Sequence, residues 1–169
     1  HRRREALKKA GILFAEILVK VYADPKQERL DGFLLNADRV PLSNYEIACE
    51  VQGLARDFGW ETQQKIADNL GKDLSWVSSH LALLKLCPEV QDLMASSIPK
   101  KKRLKIPVGV FLGHFEYPTQ RHLITHMPKE LASATRQLSW MRSELIRLGV
   151  TLPPQKLRPS KVRERFGNF

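Results

Sequence analysis

Residues 62–81, in the middle of the chain, have the composition of two short helices joined by a tight turn. Gly71 lies between the helices and supplies a turn conformation that a Cβ atom would resist. Apolar residues at spacings of three and four hold the helices together: Ile66, Ala67 and Leu70 in the first, Val77, Leu81 and Leu84 in the second. The pattern predicts a helix-turn-helix, whose second helix enters the major groove of DNA. A helical hairpin that binds no DNA is the alternative.

The chemistry of such a motif is hydrogen bonding to base edges. We predict that the N-terminal half of the second helix turns these side chains outward: Ser75, Trp76, Ser78, Ser79 and, at the margin of the set, His80. The first helix and the turn complete the predicted DNA contacts with Thr62, Gln63, Gln64 and Lys72. A second possibility for Trp76 is that its bulky indole packs beneath the helix.

The basic residues of the chain are clustered. Its 169 residues include 28 Lys and Arg against 18 Asp and Glu, a net charge of +10. Residues 1–9, 100–105 and 151–169 each carry five basic residues and at most one acidic residue, which favours a polyanionic partner over solubility alone. Residues 61–86 carry three lysines and three acidic residues, so the helix-turn-helix is itself neutral. We therefore expect the attraction to DNA to come from Lys100, Lys101, Lys102 and Arg103.

Helical periodicity dominates the rest of the chain. Before the motif we expect a basic helix over residues 2–10, a β-strand over 12–21, a helix over 25–35, and a helix over 43–58 that opens with a Ser43–Glu46 capping box. The other predicted helices are 62–70, 74–86, 88–96, 108–115, 119–125 and 129–148. The last carries an apolar stripe, either a core face or a dimer seam, at Leu131, Leu138, Met141, Leu145 and Leu148.

Several classes of protein are excluded by the composition. The longest apolar stretch, residues 11–21, contains a glutamate and a lysine and is too short for a transmembrane helix. Cys49 and Cys87 allow no disulfide framework and no Cys-x-x-Cys centre, so we expect a reducing compartment. His122 and His126 lack a third metal ligand in the sequence pattern and are interpreted as ordinary surface histidines. The chain opens without Met on a basic run, and we expect it to be a fragment of a longer protein.

Three stretches together resemble the ParB family of bacterial chromosome and plasmid partition proteins. Residues 62–86, which end in Leu-Ala-Leu-Leu-Lys-Leu before Cys87 and Pro88, are similar to the family's central helix-turn-helix. Residues 35–48 are similar to its Glu-Asn-x-x-Arg-x-x-Leu-Ser-x-x-Glu-x-Ala box. Residues 1–11 are similar to its arginine box. The likeness runs over residues 1–150 in the family's order.

The resemblance implies a mainly α-helical protein. Residues 1–42 would be the remnant of a small α/β nucleotide-binding domain, 43–150 an all-helical DNA-binding domain, and 151–169 a basic tail or linker. In the family the two boxes bind CTP and magnesium, so the resemblance implies that Arg2, Arg3, Asn36 and Arg39 contact the nucleotide and that Asn36 helps to hold Mg²⁺. The family's glutamate associated with hydrolysis is Leu35 here, and leucine can neither orient water nor accept a proton. We therefore expect little turnover.

The function that the resemblance implies is sequence-specific binding of double-stranded DNA at a centromere-like site. The protein would act as a homodimer with a ParA-type partition ATPase, in the cytoplasm on a nucleoid or plasmid and without a membrane. Two alternatives stay open, a ParB-like transcriptional regulator or nucleoid-associated protein, and a CTP-hydrolysing switch enzyme. Nucleotide turnover would identify the enzyme, and a bound partition ATPase would separate partition from regulation.

Overall fold

The structure, a computed structural model, describes residues 2–16, 19–36, 42–99 and 102–153, without the side chains of Arg2, Arg3 and Asn36. Over these residues the regular structure is helical, which confirms the predicted mainly helical fold. The helices are α1 (Arg2–Lys9), α2 (Pro25–Asn36), α3 (Asn44–Phe58), α4 (Gln63–Leu70), α5 (Leu74–Ala82), α6 (Pro88–Asp92), α7 (Ile106–Leu112), α8 (Tyr117–His126) and α9 (Ala134–Arg147). A 3₁₀ turn at Leu83–Lys85 follows α5.

The segment between α1 and α2 differs from the prediction. The β-strand expected over residues 12–21 is wrong for the described residues 12–16 and 19–21, which pair with no strand there. Its apolar side chains face solvent, with Leu13 and Val21 both 88% exposed and Phe14 91% exposed. The end of the segment is held on α2, because the Tyr22 hydroxyl donates to the Asp31 carboxylate at 2.8 Å.

A first core joins α2 to the helix-turn-helix. Its buried members are Leu30, Phe33, Val51, Leu54, Ile66, Ala67, Leu70 and Val77. The third helix is the centre of this core, and it opens with the predicted capping box. Ser43 and Glu46 form the reciprocal capping box, and Gly59 ends the helix at a φ of 66°. The resemblance implies a domain boundary at residue 42. In the structure, α2 before this residue and α3 after it share one core.

The crossing of α2 and α3 is fastened by one arginine. The Arg29 guanidinium reaches Glu50 at 2.9 Å and Asp57 at 2.5 Å. Gly53 lies between these two acids on α3, and a Cβ atom there would come within 2.5 Å of an Arg29 nitrogen. The guanidinium occupies the space that a side chain at position 53 would need.

A second core lies under the C-terminal helices. Its largest fully buried side chains include Leu83, Leu86, Met94, Leu112, Leu123, Met141 and Leu145. Ala48 of α3 belongs to the same core, so the two cores meet along that helix. Met141 and Leu145 support the interpretation of the α9 stripe as a core face.

One polar side chain is fully buried beside this second core. Gln120 of α8 accepts from the Cys87 N–H at 2.8 Å, and its amide nitrogen donates to the carbonyls of Lys85 at 3.1 Å and Phe115 at 2.8 Å. The amide thereby joins α8, the loop before it and the chain that leaves α5.

Several predicted helix boundaries are corrected. The helix expected over 88–96 ends at Asp92, and the one expected over 108–115 is Ile106–Leu112. The last helix begins after Ser133, whose hydroxyl accepts from the Arg136 N–H at 3.3 Å, so Leu131 lies outside it. The second helix of the motif ends at Ala82 and tightens into the 3₁₀ turn instead of continuing to Leu86. Helix ends commonly tighten in this way.

Of the two spaced histidines, His122 contacts α9. The His122 ring is hydrogen-bonded at 2.9 Å to Glu144, which also receives two hydrogen bonds from Arg147. These bonds, chiefly those from Arg147, hold the pKa of Glu144 at about 2. The His126 ring stacks on His122 at 4.1 Å. In the described ranges no three His, Cys, Asp or Glu side chains cluster as a metal site requires. None of the helices described is long and apolar enough to cross a membrane.

Candidate nucleic-acid interface

The helix-turn-helix forms where the sequence predicts it, and its local signals explain why. Thr62 caps α4 by accepting from the Lys65 N–H at 3.2 Å, a contact typically worth about 1 kcal/mol. Gly71 adopts a φ of 60°, and the following Lys72 N–H donates to the Ala67 carbonyl at 3.0 Å. This left-handed cap satisfies the helix end and turns the chain into α5.

Apolar contacts fix the angle between the two helices of the motif. Ile66, Ala67 and Leu70 of α4 and Val77 of α5 are all buried in the first core, together with Val51 and Leu54 of α3. Ala67 is 2% exposed, which agrees with its predicted part in holding the two helices together. The motif is therefore held as a rigid unit on α3.

The outer face of α5 carries two exposed serines. Ser75 and Ser78 are exposed and three residues apart, so they are neighbours on one helix face. Ser79 is half-buried beside them. A serine hydroxyl both donates and accepts, so these side chains can bond to the edge of any base. The orientation of Ser75 and Ser78 is as predicted, and their contact with DNA stays a prediction.

Trp76 lies at the edge of this face and not on it. Its indole is half-buried and packs against the first core. The Lys72 ammonium lies 5.8 Å from the centre of the indole, and the His80 ring lies 4.1 Å from it on a tilted plane. Much of the indole surface is therefore covered by packing beneath the helix, which was the second possibility for Trp76.

The predicted outward position of His80 is wrong. Its side chain is 2% exposed and bonds through Nδ1 to the Trp76 carbonyl at 2.8 Å. Since a carbonyl only accepts, Nδ1 carries the proton and the neutral ring is held in one tautomer. Burial lowers the pKa of His80 below its usual 6.5, and the bond to Trp76 opposes this shift only in part. The ring therefore supports the helix from within.

The start of α4 offers a second polar surface. Thr62, Gln63 and Gln64 are exposed, but the Thr62 hydroxyl already serves the helix cap. The Gln64 amide nitrogen donates to Asp68 at 2.8 Å. Gln63 is exposed at the first position of the helix, where the backbone N–H groups favour an anion such as a phosphate.

The basic loop between α6 and α7 is described only in part. Lys100 and Lys101 lie outside the described residues, and Lys102 is exposed. Arg103 is half-buried, with Nε donating to the Ile98 carbonyl at 2.6 Å and one terminal nitrogen donating to the Ser96 carbonyl at 2.7 Å. Two of the guanidinium donors predicted to meet DNA thus bind the loop's own backbone.

The interaction of this loop with α3 was missed by sequence reasoning. The Ser96 hydroxyl donates to Glu46 at 2.7 Å, and the other Glu46 oxygen accepts from the Ser43 N–H at 2.6 Å. Burial would raise the pKa of Glu46, but the hydrogen bonds from Ser96 and Ser43 outweigh it and the pKa is lowered. The Ser-x-x-Glu spacing identified Glu46 as a cap, but no local signal identified a partner fifty residues away.

The side chains predicted to bind nucleotide lie outside the described part of the chain. Arg2 and Arg3 open α1 and Asn36 closes α2, but their side chains lie outside the described part of the chain, as does all of Arg39. The side chain of Leu35 is 65% exposed.

Residues 41–103 match the family described as the ParB HTH domain. The match runs from the start of α3 to the basic loop and includes both helices of the motif. No curated protein matches the chain closely enough to count as a relative. The match and the geometry agree on the same two helices, and helices so arranged are suited to DNA. The chain thus carries, over residues 41–103, a DNA-binding helix-turn-helix domain of the ParB type.

Proposed function

We propose that this protein binds a specific double-stranded DNA site as a partition protein of the ParB type. The observation that carries the proposal is the exposed face of α5, with Ser75 and Ser78 on a rigid helix-turn-helix that matches the ParB family. Such a helix inserts its N-terminal residues into the major groove while the preceding helix crosses the backbone. In this arrangement Ser78 reads a base edge, and Gln63 and Lys102 meet phosphates.

The first experiment identifies the preferred DNA sequence and then tests whether Ser78 recognises its bases. Selection from a random duplex pool gives the preferred sequence, and fluorescence anisotropy gives its affinity and that of a scrambled duplex. Ser78→Ala should weaken binding to the selected site by about 1 to 3 kcal/mol and leave the scrambled duplex unaffected. Ser143→Ala is the matched control, because Ser143 is also an exposed helical serine but lies on α9. Equal losses on both duplexes would contradict base reading by Ser78.

The electrostatic part of the proposal places the attraction to DNA in the basic loop. Joint replacement of Lys100, Lys101 and Lys102 by glutamine should weaken binding to every sequence. It should also reduce the slope of log affinity against log salt by roughly 0.9 for each phosphate that the loop no longer neutralises. Arg103 is left in place in this variant because its guanidinium binds the loop backbone. An unchanged slope would refute the assignment of this loop to DNA.

The finer functional proposals concern the assembly. A homodimer would place two copies of α5 on a palindromic site, which sedimentation of the protein on the selected duplex measures directly. We place this dimer at a centromere-like site on a nucleoid or plasmid, where a ParA-type ATPase is its partner. Stimulation of that ATPase by the DNA-bound protein supports partition, and its absence favours a regulator of transcription.

A nucleotide site is also proposed for residues 1–42, as part of a small α/β domain. The donor set suits CTP, because the guanidinium groups of Arg2, Arg3 and Arg39 pair with phosphates and the Asn36 amide oxygen is a ligand type that Mg²⁺ accepts. Calorimetry of the full-length protein with CTP and magnesium tests binding. Hydrolysis should stay near background and rise in Leu35→Glu. Robust hydrolysis by the unmodified protein would favour the switch enzyme.

A further inference from the structure

Arg103 occupies an unusual position for a residue in a basic loop. Its backbone N–H and that of Lys102 both donate to the Pro99 carbonyl, at 3.2 and 2.7 Å. Its side chain reaches back to the carbonyls of Ile98 and Ser96. A single residue therefore closes the turn from both its main chain and its side chain, and it does so with the fork-like donor geometry that lysine lacks.

The closed turn is anchored at both of its ends. After it, Leu104 is buried in the second core and its N–H donates to the Leu93 carbonyl at 3.0 Å. Before it, Ser96 donates to Glu46 at 2.7 Å, and Glu46 is locked in the capping box of α3. The loop is thereby connected to the helix on which the helix-turn-helix packs.

We propose that Arg103, Ser96 and Glu46 are positioning residues, which hold Lys102 in register with α5 so that phosphate and base contacts form together. The inference rests on the proposed function and deepens it. In this assignment Arg103 acts through the loop geometry, and the positive charge that it positions against a phosphate is that of the exposed Lys102. An ordered loop binds more tightly than a disordered one because the cost of ordering is met during folding.

The distinguishing variants are Arg103→Lys and Arg103→Gln. Lysine keeps the charge and loses the paired hydrogen bonds, whereas glutamine loses both. If Arg103 positions the loop, both variants should weaken binding to the selected and scrambled duplexes by a similar factor, about 3- to 10-fold. The salt slope of Arg103→Lys should equal that of the wild type. If Arg103 instead contacts a phosphate by its charge, Arg103→Lys binds like the wild type and Arg103→Gln alone loses about 0.9 in slope. That result would overturn the inference.

A second pair of variants tests the connection to α3 without altering any charge. Ser96→Ala removes the bond to Glu46, and Ser97→Ala changes the exposed neighbouring serine as a control. Ser96→Ala should weaken DNA binding and speed hydrogen exchange at the Lys102 and Arg103 amides, whereas Ser97→Ala should do neither.

All measurements are made at a temperature where circular dichroism shows each variant folded. Equal behaviour of the two serine variants would refute the connection. Failure of the wild type to bind any DNA would instead refute the proposed function, and the inference with it.

Discussion

The buried amide of Gln120 makes three hydrogen bonds to backbone groups, and Gln120→Leu tests what they contribute to stability. Leucine fills a similar volume but satisfies none of the three backbone groups now bonded to the amide. The Cys87 N–H is left in a fully buried position, where the loss of a hydrogen-bond partner costs about 1 to 3 kcal/mol. The carbonyls of Lys85 and Phe115 are only partly buried, so each should cost about 1 kcal/mol or less.

The sum for Gln120→Leu is a loss of about 3 kcal/mol in the free energy of unfolding. For a protein of this size that corresponds to a melting temperature lower by roughly 10 °C. Urea unfolding followed by circular dichroism measures the loss. Gln137→Leu is the matched control, since the Gln137 amide nitrogen donates to the Leu131 carbonyl at 2.7 Å in a half-buried position. Its expected cost is about 1 kcal/mol or less.

A third variant, Gln120→Glu, gives the same contact a pH dependence. The acid still accepts from Cys87 but faces two carbonyl oxygens, so burial and these dipoles should raise its pKa in the folded state. A raised folded pKa means that stability is present at low pH and lost as the pH rises through that value. The difference from wild type should therefore widen between about pH 4 and pH 8. A Gln120→Leu variant as stable as Gln137→Leu would refute the reasoning.

Three other perturbations test local features of the chain. Burial lowers the pKa of His80, so the unfolded chain binds a proton more readily than the folded chain. The free energy of unfolding in urea should therefore fall as the pH drops below about 6.5. His80→Gln should lose this pH dependence. Gly71→Ala should destabilise by about 1 kcal/mol in urea unfolding, since its φ is 60°, whereas Gly32→Ala, inside α2 with open space at its Cβ, should stabilise by up to about 1 kcal/mol. A thiol reagent should label the exposed Cys49 in the native protein and the buried Cys87, whose pKa is raised by burial, only on unfolding; equal labelling rates would contradict the burial of Cys87.

Features that depend on a few neighbouring residues were predictable from the sequence. The capping box at Ser43, the turn glycine at position 71 and the packing of α4 against Val77 and Leu81 of α5 form as expected, whereas Leu84 packs in the second core. Each needs only residues within about one helical turn, and the local signals agree with the packing. The helix-turn-helix could therefore be located from the order of its residues alone.

Features that depend on distant partners were not predictable. The strand expected at residues 12–21 rested on β-branched residues, whose preference for strands reflects packing against a neighbouring strand, and the described residues offer none. His80 lies three residues after the buried Val77, so periodicity places it inward, but its polar ring suggested the surface. In the sequence Arg103 looks like a DNA-binding residue and Glu46 like a helix cap. Only in the folded chain does the basic loop that carries Arg103 contact Glu46 of α3, through Ser96.

The crossing at Gly53 has a consequence for how this sequence can change over generations. Alanine at position 53 would favour the helix by about 1 kcal/mol, but its Cβ would displace the Arg29 guanidinium from Glu50 and Asp57. Those exposed ion pairs together stabilise the fold by about the same 1 kcal/mol, so Gly53→Ala is close to neutral in stability while Arg29 is present. Once Arg29 is lost, the same exchange becomes favourable. Positions 29 and 53 should therefore covary among descendants of this chain, with arginine retained where glycine is retained.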